Sequence, residues 1–504
     1  MRTMRKNFLS VGLAAMSLCV VGCSTAGEDV SYEGYKLYSL ADNDMIEMPE
    51  AGGDKFEDFT DNPFVKTSKE PVSTFSVDAD GASYAIIRRH LADGYNIAPA
   101  SVRIEEFLNY FTFNYASPKG DESVAINAEV GDCPWNPNHH LLRLGIKGRE
   151  LTTSEMPRAN FVFLVDVSGS MASSDKLDLL KRGLTELLYQ LNPDDRISLI
   201  TYSGEVKKLL ESTSVRNADK IKKAISKLNA DGCTAGGKAL KMAYEEALAN
   251  YDPKCNNRVV MGTDGDFNVG VTNTDELVEM VESYARKGIY MTCLGFGLGN
   301  LNDAMMEKIS NSGNGTYHYI DCENEMMKVF VHERNQFVSV ANDSKCQVSF
   351  NPDVVSEYRL IGYENRVMSK EDFENDKKDA GEIGAGQTIT ALYEIVLKDD
   401  KPEGFANQSF FTFDFRYKKT LDGPSRPLQL KMDAGRIFEK YERPDDFYFA
   451  AGVAAYGMIL RDSPYKGDAS IEMAMKLVKQ GLSFDPNGYR AELLKIMEIP
   501  KNDK

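Results

Sequence analysis

FVFLVDVSGSM, residues 161–171, decides how the rest of the chain is read. Phe161 to Val165 form an unbroken apolar run, as expected of a strand buried on both faces of a parallel sheet. A polar turn follows, in which Asp166, Ser168 and Ser170 alternate with Val167 and Gly169. Next, KLDLLKRGLTELLYQL carries a helical repeat, and RISLITYS is a second apolar strand. The alternation continues. Helices are predicted near 217–229, 237–250, 274–287, 301–310 and 322–337, and strands at RVVMGTD, IYMTCLGFG and TYHYI. Strands alternating with helices predict a doubly wound, Rossmann-like α/β domain over residues 160–338.

In such sheets ligands bind outside the carboxyl ends of the strands. Asp166, Ser168 and Ser170 stand there after the first strand, and Thr263, Asp264 and Asp266 after the strand ending GTDGDFN. Between them lies DGCTAGGKAL, residues 231–240, which has the spacing of a nucleotide-binding loop: Gly232, Gly237, Lys238. A true phosphate loop follows a buried strand and ends in Ser or Thr. This one follows a polar helical segment and ends in Ala239, so no nucleotide is expected. Thr234 is the candidate ligand, and the glycines let the backbone approach an ion. Hydroxyls and carboxylates from three loops are hard oxygen donors of the kind magnesium takes. A set rich in neutral hydroxyls leaves the ion under-neutralised, so it attracts a carboxylate from outside.

Asp166, Ser168, Ser170, Thr234 and Asp264 together resemble the metal-ion-dependent adhesion site of von Willebrand factor type A domains. FSVDADGASYAIIRRHL, VRIEEFLNYF, PWNPNHHLLRLGIKGRE, YRLIGYENR, KKDAGEIGAG and LRDSPYKGDAS resemble bacterial envelope proteins with a von Willebrand N-terminal region, a type A domain and a C-terminal region of unknown function. The resemblance implies Mg2+ at the site, with Mn2+ or Ca2+ as substitutes. It implies a protein partner presenting Asp or Glu to the metal, and a shift of helix 322–337 on ligation. One departure is Met261-Gly262, where aliphatic residues are usual.

The flanks have their own grammar. Residues 1–22 have a basic start and an apolar run from Phe8 to Val21, which reads as a secretory signal peptide. The ending VVGC resembles a bacterial lipobox and places lipid on Cys23. Residues 23–70 are polar and acidic and are expected to be a lipidated flexible tether. Residues 71–118 are predicted to be an N-terminal helical region. Alternating residues at 124–150 and 342–432 predict strands that join one β-sandwich, with the α/β domain inserted between them. Residues 440–500 read as C-terminal helices.

The chain has 504 residues and a formal net charge of −17, which disfavours nucleic acid. Its eight cysteines show no C-x-x-C pair, so a zinc site is not expected, and those that remain after processing read mostly as single buried thiols. His139 and His140 point to opposite faces of a strand, and Trp135 is expected to pack. No G-x-S-x-G is present, and neither serine has a histidine nearby in sequence, so an enzyme is not expected. The expectation is therefore an adhesive lipoprotein of a Gram-negative outer membrane, touching the membrane only through its lipid. The alternatives are an assembly scaffold whose site holds no ion, or a metal-dependent hydrolase using Asp266.

Overall fold

The computed structural model describes residues 53–500 except 232–236, 266–273, 377, 379, 401–402 and 440–441, and also two short strands near the N-terminus. Those strands, Val30–Tyr32 and Tyr35–Leu37, form an antiparallel hairpin in a unit of their own, residues 1–46. The signal segment, Cys23 and Thr234 lie outside the described residues.

The α/β domain has six strands: β1 Ala159–Asp166, β2 Arg196–Tyr202, β3 Val206–Ser214, β4 Asn256–Thr263, β5 Ile289–Phe296 and β6 Tyr317–Ile320. Their order in the sheet is β6-β5-β4-β1-β2-β3, and all pairs are parallel except β2 with β3. Its helices are α1 Leu177–Gln190, α2 Ala218–Ser226, α3 Gly237–Ala249, α4 Thr274–Ala285, α5 Asp303–Ser312 and α6 Glu323–Met327. Every residue of β1 is buried, and its side chains alternate between two cores. Phe161, Phe163 and Val165 join Leu180 and Leu184 of α1, while Val162 and Leu164 join Leu240 and Tyr244 of α3. The unusual Met261-Gly262 pair now has a reason. Met261 fills the second core, and a Cβ at Gly262 would lie 2.7 Å from Leu180 Cδ2, so glycine lets α1 lie close on β4.

Two antiparallel sheets account for the other strands. One runs Val367–Met368, Val72–Ser76, Ser339–Phe350, Ser409–Lys418, Ser425–Asp433. The other runs Val65–Lys66, Val355–Ile361, Thr388–Leu397, His140–Gly148, Val124–Asp132. They share one apolar core, with Phe75, Val348 and Phe413 from the first and Leu142, Leu144 and Tyr393 from the second. Chain on both sides of the α/β domain enters the same sheet: Ile146, before it, pairs with Ile389, after it.

The structure corrects four expectations. The segment 71–118 is not helical throughout. It opens with the strand Val72–Ser76, paired with Ser339–Phe350, and only then forms the helices Ala82–Asp93 and Ile104–Asn109. The tether does not extend to residue 70. Asp54 Oδ1 accepts the N–H groups of Gly299 (2.8 Å) and Leu301 (2.9 Å), Asp61 pairs with Arg461 (3.0 Å), and Val65 joins a sheet. Asp54 and Asp61 are spent on protein partners, while Glu57, Asp58 and Glu70 are exposed. Residues 322–337 are not one α-helix: α6 gives way to a π-helical turn at Lys328–His332 and a 3-10 turn at Arg334–Phe337. Finally, β3 was not foreseen, because an edge strand exposed to solvent carries little apolar periodicity.

The C-terminal helices Asp445–Leu460, Ile471–Gln480 and Tyr489–Met497 share a core with the N-terminal helices through Tyr84, Phe107, Phe111, Phe449 and Leu493. Trp135 is buried there, and its Nε1 donates to Glu394 Oε2 at 3.2 Å. The described cysteines, Cys133, Cys255, Cys293, Cys322 and Cys346, are all unbridged.

One side chain ties three regions together. Arg88, fully buried on the helix Ala82–Asp93, meets Asp321 through Nε (2.8 Å) and Nη2 (2.5 Å), Glu325 of α6 at 2.8 Å, and Glu492 of the last helix at 3.0 Å. Removing one partner of a buried charge network strands the others in a poorly solvated place. Arg88→Ala should therefore cost about 3–5 kcal/mol of stability, read from urea denaturation. A loss below about 1 kcal/mol, the scale of an exposed pair, would show that the network is not structural.

Candidate metal centre

The parallel register brings two of the three loops together. β1 and β4 are neighbours, and Val165 pairs with Gly262, so Asp166 and Thr263 end their strands side by side. Thr263 Oγ1 donates to Asp166 Oδ2 at 3.0 Å. The other oxygen, Asp166 Oδ1, accepts the N–H of Ser168 at 2.9 Å, which turns the chain as it leaves the strand. That turn leads into a short 3-10 segment, Gly169–Ala172, and sets Ser168 Oγ 3.0 Å from Ser170 Oγ. Ser168 is buried and Ser170 exposed, so the hydroxyl pair spans the step from protein to solvent.

Asp264 follows directly on Thr263 and is buried. Its Oδ2 accepts from Lys176 Nζ at 2.9 Å, while its buried Oδ1 has no hydrogen-bond partner among the described residues. Burial pushes the carboxyl of Asp166 above the ordinary aspartate range, and the nearby charge of Asp264 adds to this. The hydrogen bonds from Ser168 and Thr263 oppose it. The third loop is anchored at its start: Asp231 N donates to Val167 O at 2.8 Å, and α3 begins at Gly237. Thr234 falls in the undescribed stretch between these points. Thus Asp166, Ser168, Ser170 and Asp264 lie at the ends of two adjacent strands, where the sequence placed them.

The donor set suits a hard divalent cation. It offers two hydroxyl oxygens in mutual contact and two buried carboxylates, one with an orphaned oxygen. An unsatisfied buried carboxylate oxygen is costly unless something charged or protic meets it. A groove of about 430 Å³ runs beside the loops, lined by Val167, Ser203, Lys207, Lys227 and Asp231 among others.

Sequence reasoning passed over a second group of acids. Oxygens of Asp78, Glu106 and Glu307 lie within 4.8 Å of one another, all buried. These are ion-paired rather than open. Arg366 Nε donates to Asp78 at 2.9 Å, Arg103 to Glu106, and Asn365 to Glu307 at 2.6 Å. Arg103 also meets Asp303 of α5 at 2.6 Å, so the group joins the N-terminal region, the α/β domain and the loop at 362–366. The D-x-D-G run at Asp78–Gly81 was the signal available for it. Three of the five histidines have defined surroundings. His139 Nδ1 lies 2.6 Å from Glu394, His332 Nδ1 lies 2.9 Å from Tyr489 Oη, and burial pushes His318 down to about 3.

Comparison with known proteins decides the family. A von Willebrand factor type A domain model matches residues 160–331, a "von Willebrand factor" model matches 50–143, and "Uncharacterized protein YfbK, C-terminal" matches 335–502. YfbK of Escherichia coli (strain K12) is 36% identical over 475 residues, covering 89% of this chain and 81% of that one. The chain belongs to the YfbK family of von Willebrand type A proteins. More distant relatives share less. Inter alpha-trypsin inhibitor, heavy chain 4, from Mus musculus is 29% identical over 42% of this chain and 23% of its own length. Sll0103 of Synechocystis is 30% identical over 42% of this chain, which spans about half of that protein, 49%. Among solved structures, a von Willebrand factor type A protein from Catenulispora acidiphila aligns over 77% of this chain and 91% of its own, with 15% identity and a TM-score of 0.43.

The buried group of Asp78, Glu106 and Glu307 carries a pH signature. Burial pushes Glu106 up to about 8, and the charges of Glu307 and Asp78 add to this, while Arg103 opposes it. In the unfolded chain a glutamate titrates near 4.3. Between about 4.3 and about 8 the folded state therefore holds a proton that the unfolded state has lost, and stability falls as pH rises through that window. Glu106→Gln mimics the protonated form and should flatten this fall, measured by urea denaturation at pH 5.5 and 8. An unchanged difference between the two pH values would show that Glu106 is ionised throughout.

Proposed function

We propose that this protein is a cell-envelope lipoprotein that captures a carboxylate-bearing protein partner through a magnesium-dependent adhesion site. The buried, unpartnered Asp264 Oδ1, beside the strand that presents Ser168 and Ser170, carries this reading. Ser168, Ser170 and Thr234 would hold the ion by their hydroxyls, with Asp166 and Asp264 supplying negative charge. Mg2+ suits such oxygen donors, and Mn2+ or Ca2+ could replace it. When bound, the cation supplies a coordination position for an Asp or Glu of the partner.

The chain's own residues do the rest. Asp166 fixes the Ser168 turn, the exposed Ser170 hydroxyl faces incoming ligand, and Lys207 and Lys227 in the adjoining groove favour an acidic surface. The α/β domain is read as an insertion in a β-sandwich formed by the two antiparallel sheets, with helical regions at either end. Movement at the loops has a physical route outward. Gly183 of α1 lies under Phe330, where a Cβ would be 2.6 Å from the ring. Phe330 belongs to the π-helical turn, and such turns often mark functional sites. The signal segment and Cys23 support lipid anchorage at a Gram-negative outer membrane, and the net charge of −17 supports a partner other than nucleic acid.

Titration calorimetry of the mature chain with Mg2+ tests the site. One ion should bind, and Asp166→Ala should weaken binding by about 100-fold or more, beyond the cost of losing a residue that only orients a ligand. Equal affinity in the two proteins, or no heat at millimolar Mg2+, would sink the adhesive reading and favour a metal-free scaffold.

A further inference from the structure

We infer that Lys176 is a built-in counter-ion that competes with a divalent cation for Asp264, and so sets how tightly the loop cluster holds metal. This rests on the proposed cation site and concerns its regulation. Lys176 Nζ lies 2.9 Å from Asp264 Oδ2, and its side chain is only 12% exposed. The ammonium therefore sits among the loops and does not lie on the surface.

The surroundings are shaped for it. Gly297 follows β5 at φ +70°, and a Cβ there would fall 2.0 Å from Lys176 Cε. Glycine thus serves both a left-handed backbone and the lysine's path. Lys176 immediately precedes α1, and its carbonyl accepts the N–H of Leu180 at 2.9 Å, so its backbone is fixed to the helix start. Its neighbour Asp175 pairs with Arg89 of the N-terminal helix at 3.1 Å. The residue is therefore presented from a braced segment, while its four-carbon stem leaves the charged end free to swing.

Charge matching gives the consequence. Asp166 and Asp264 are the two carboxylates in a set otherwise made of neutral hydroxyls, so they supply all of its negative charge. With the ammonium on Asp264 only one charge remains uncompensated. A cation must then either displace Lys176 or sit near a neutralised carboxylate. Both weaken its hold, whether Asp264 meets the ion directly or through water. Lys176 also relieves the burial of Asp264 when no metal is bound, so the lysine should stabilise the chelated protein and oppose metal uptake.

The test uses the mature full-length chain as wild type, Lys176→Met and Lys176→Arg, titrated with Mg2+ and with Mn2+ by calorimetry. Urea denaturation in chelator is run alongside. Lys176→Met should bind both metals about tenfold more tightly, equivalent to about 1.4 kcal/mol. Lys176→Arg, which keeps the charge, should stay close to wild type. In chelator, Lys176→Met should unfold at lower urea than wild type, and adding Asp264→Asn should remove most of that difference. Equal dissociation constants for wild type and Lys176→Met overturn the inference while leaving the metal site standing. Failure of all three proteins to bind either metal overturns the site itself, and this inference with it.

Discussion

Two carboxylates buried at the ends of adjacent strands are costly to keep without hydrogen-bond donors or a positive neighbour. The pairing of β1 with β4 imposes that condition, because it sets Asp166 and Thr263-Asp264 side by side at the carboxyl edge of the sheet. Asp166 is met by a backbone N–H and the Thr263 hydroxyl. Among the described residues, Asp264 is met on one oxygen only. That asymmetry accompanies the local build: the serine pair aligned on the turn, the lysine reaching in from just before α1, and a glycine at 297 that makes room for it. The proposed cation site depends on charge and geometry together, and either alone would be an ordinary turn.

The rest of the molecule holds this edge in place. Arg88 and Arg103 connect the N-terminal region to the α/β domain, and Arg88 reaches on to the last helix. Each of these buried guanidinium groups has several carboxylate partners, so removing one leaves buried charges unpaired. Asp54 binds the loop at 299–301, which packs against Gly265 just after Asp264. The segment that leads from the N-terminus into the body is therefore tied next to the site. The irregular stretch from Glu323 to Phe337 lies between the Arg88 network and α1, so three regions meet on the element whose helical pitch is least uniform.

How much of this could be read in the sequence follows from physical type. Strands buried on both faces, such as Phe161–Val165, are legible because their apolar runs have no other use. The placement of Asp166, Ser168, Ser170 and Asp264 at neighbouring strand ends was legible because a parallel sheet brings such ends together. β3, with Lys207, Lys208 and Glu211 exposed along an edge, gave no such run. The strand Val72–Ser76 is short and adjoins a D-x-D-G turn, so its pairing to residues 345–349 had no local signal. Residues 53–66 looked like solvated linker because polarity says nothing of where the partners sit. Apolar spacing at 322–337 showed a buried face but could not separate α, π and 3-10 turns, which differ by one residue per hydrogen bond. Lys176 over Gly297 and Asp264 joins residues 88 and more apart in sequence and was invisible for that reason.

The central claim is that one divalent cation is shared among these loops. Crystals of the mature chain grown with Mn2+ and measured at the manganese absorption edge test it most directly. The account predicts a single anomalous peak at bonding distance, about 2.0–2.6 Å, from the hydroxyl oxygens of Ser168 and Ser170, with Thr234 brought to the same ion. A peak at Asp78, Glu106 and Glu307 instead, or no peak near the serines, would contradict it.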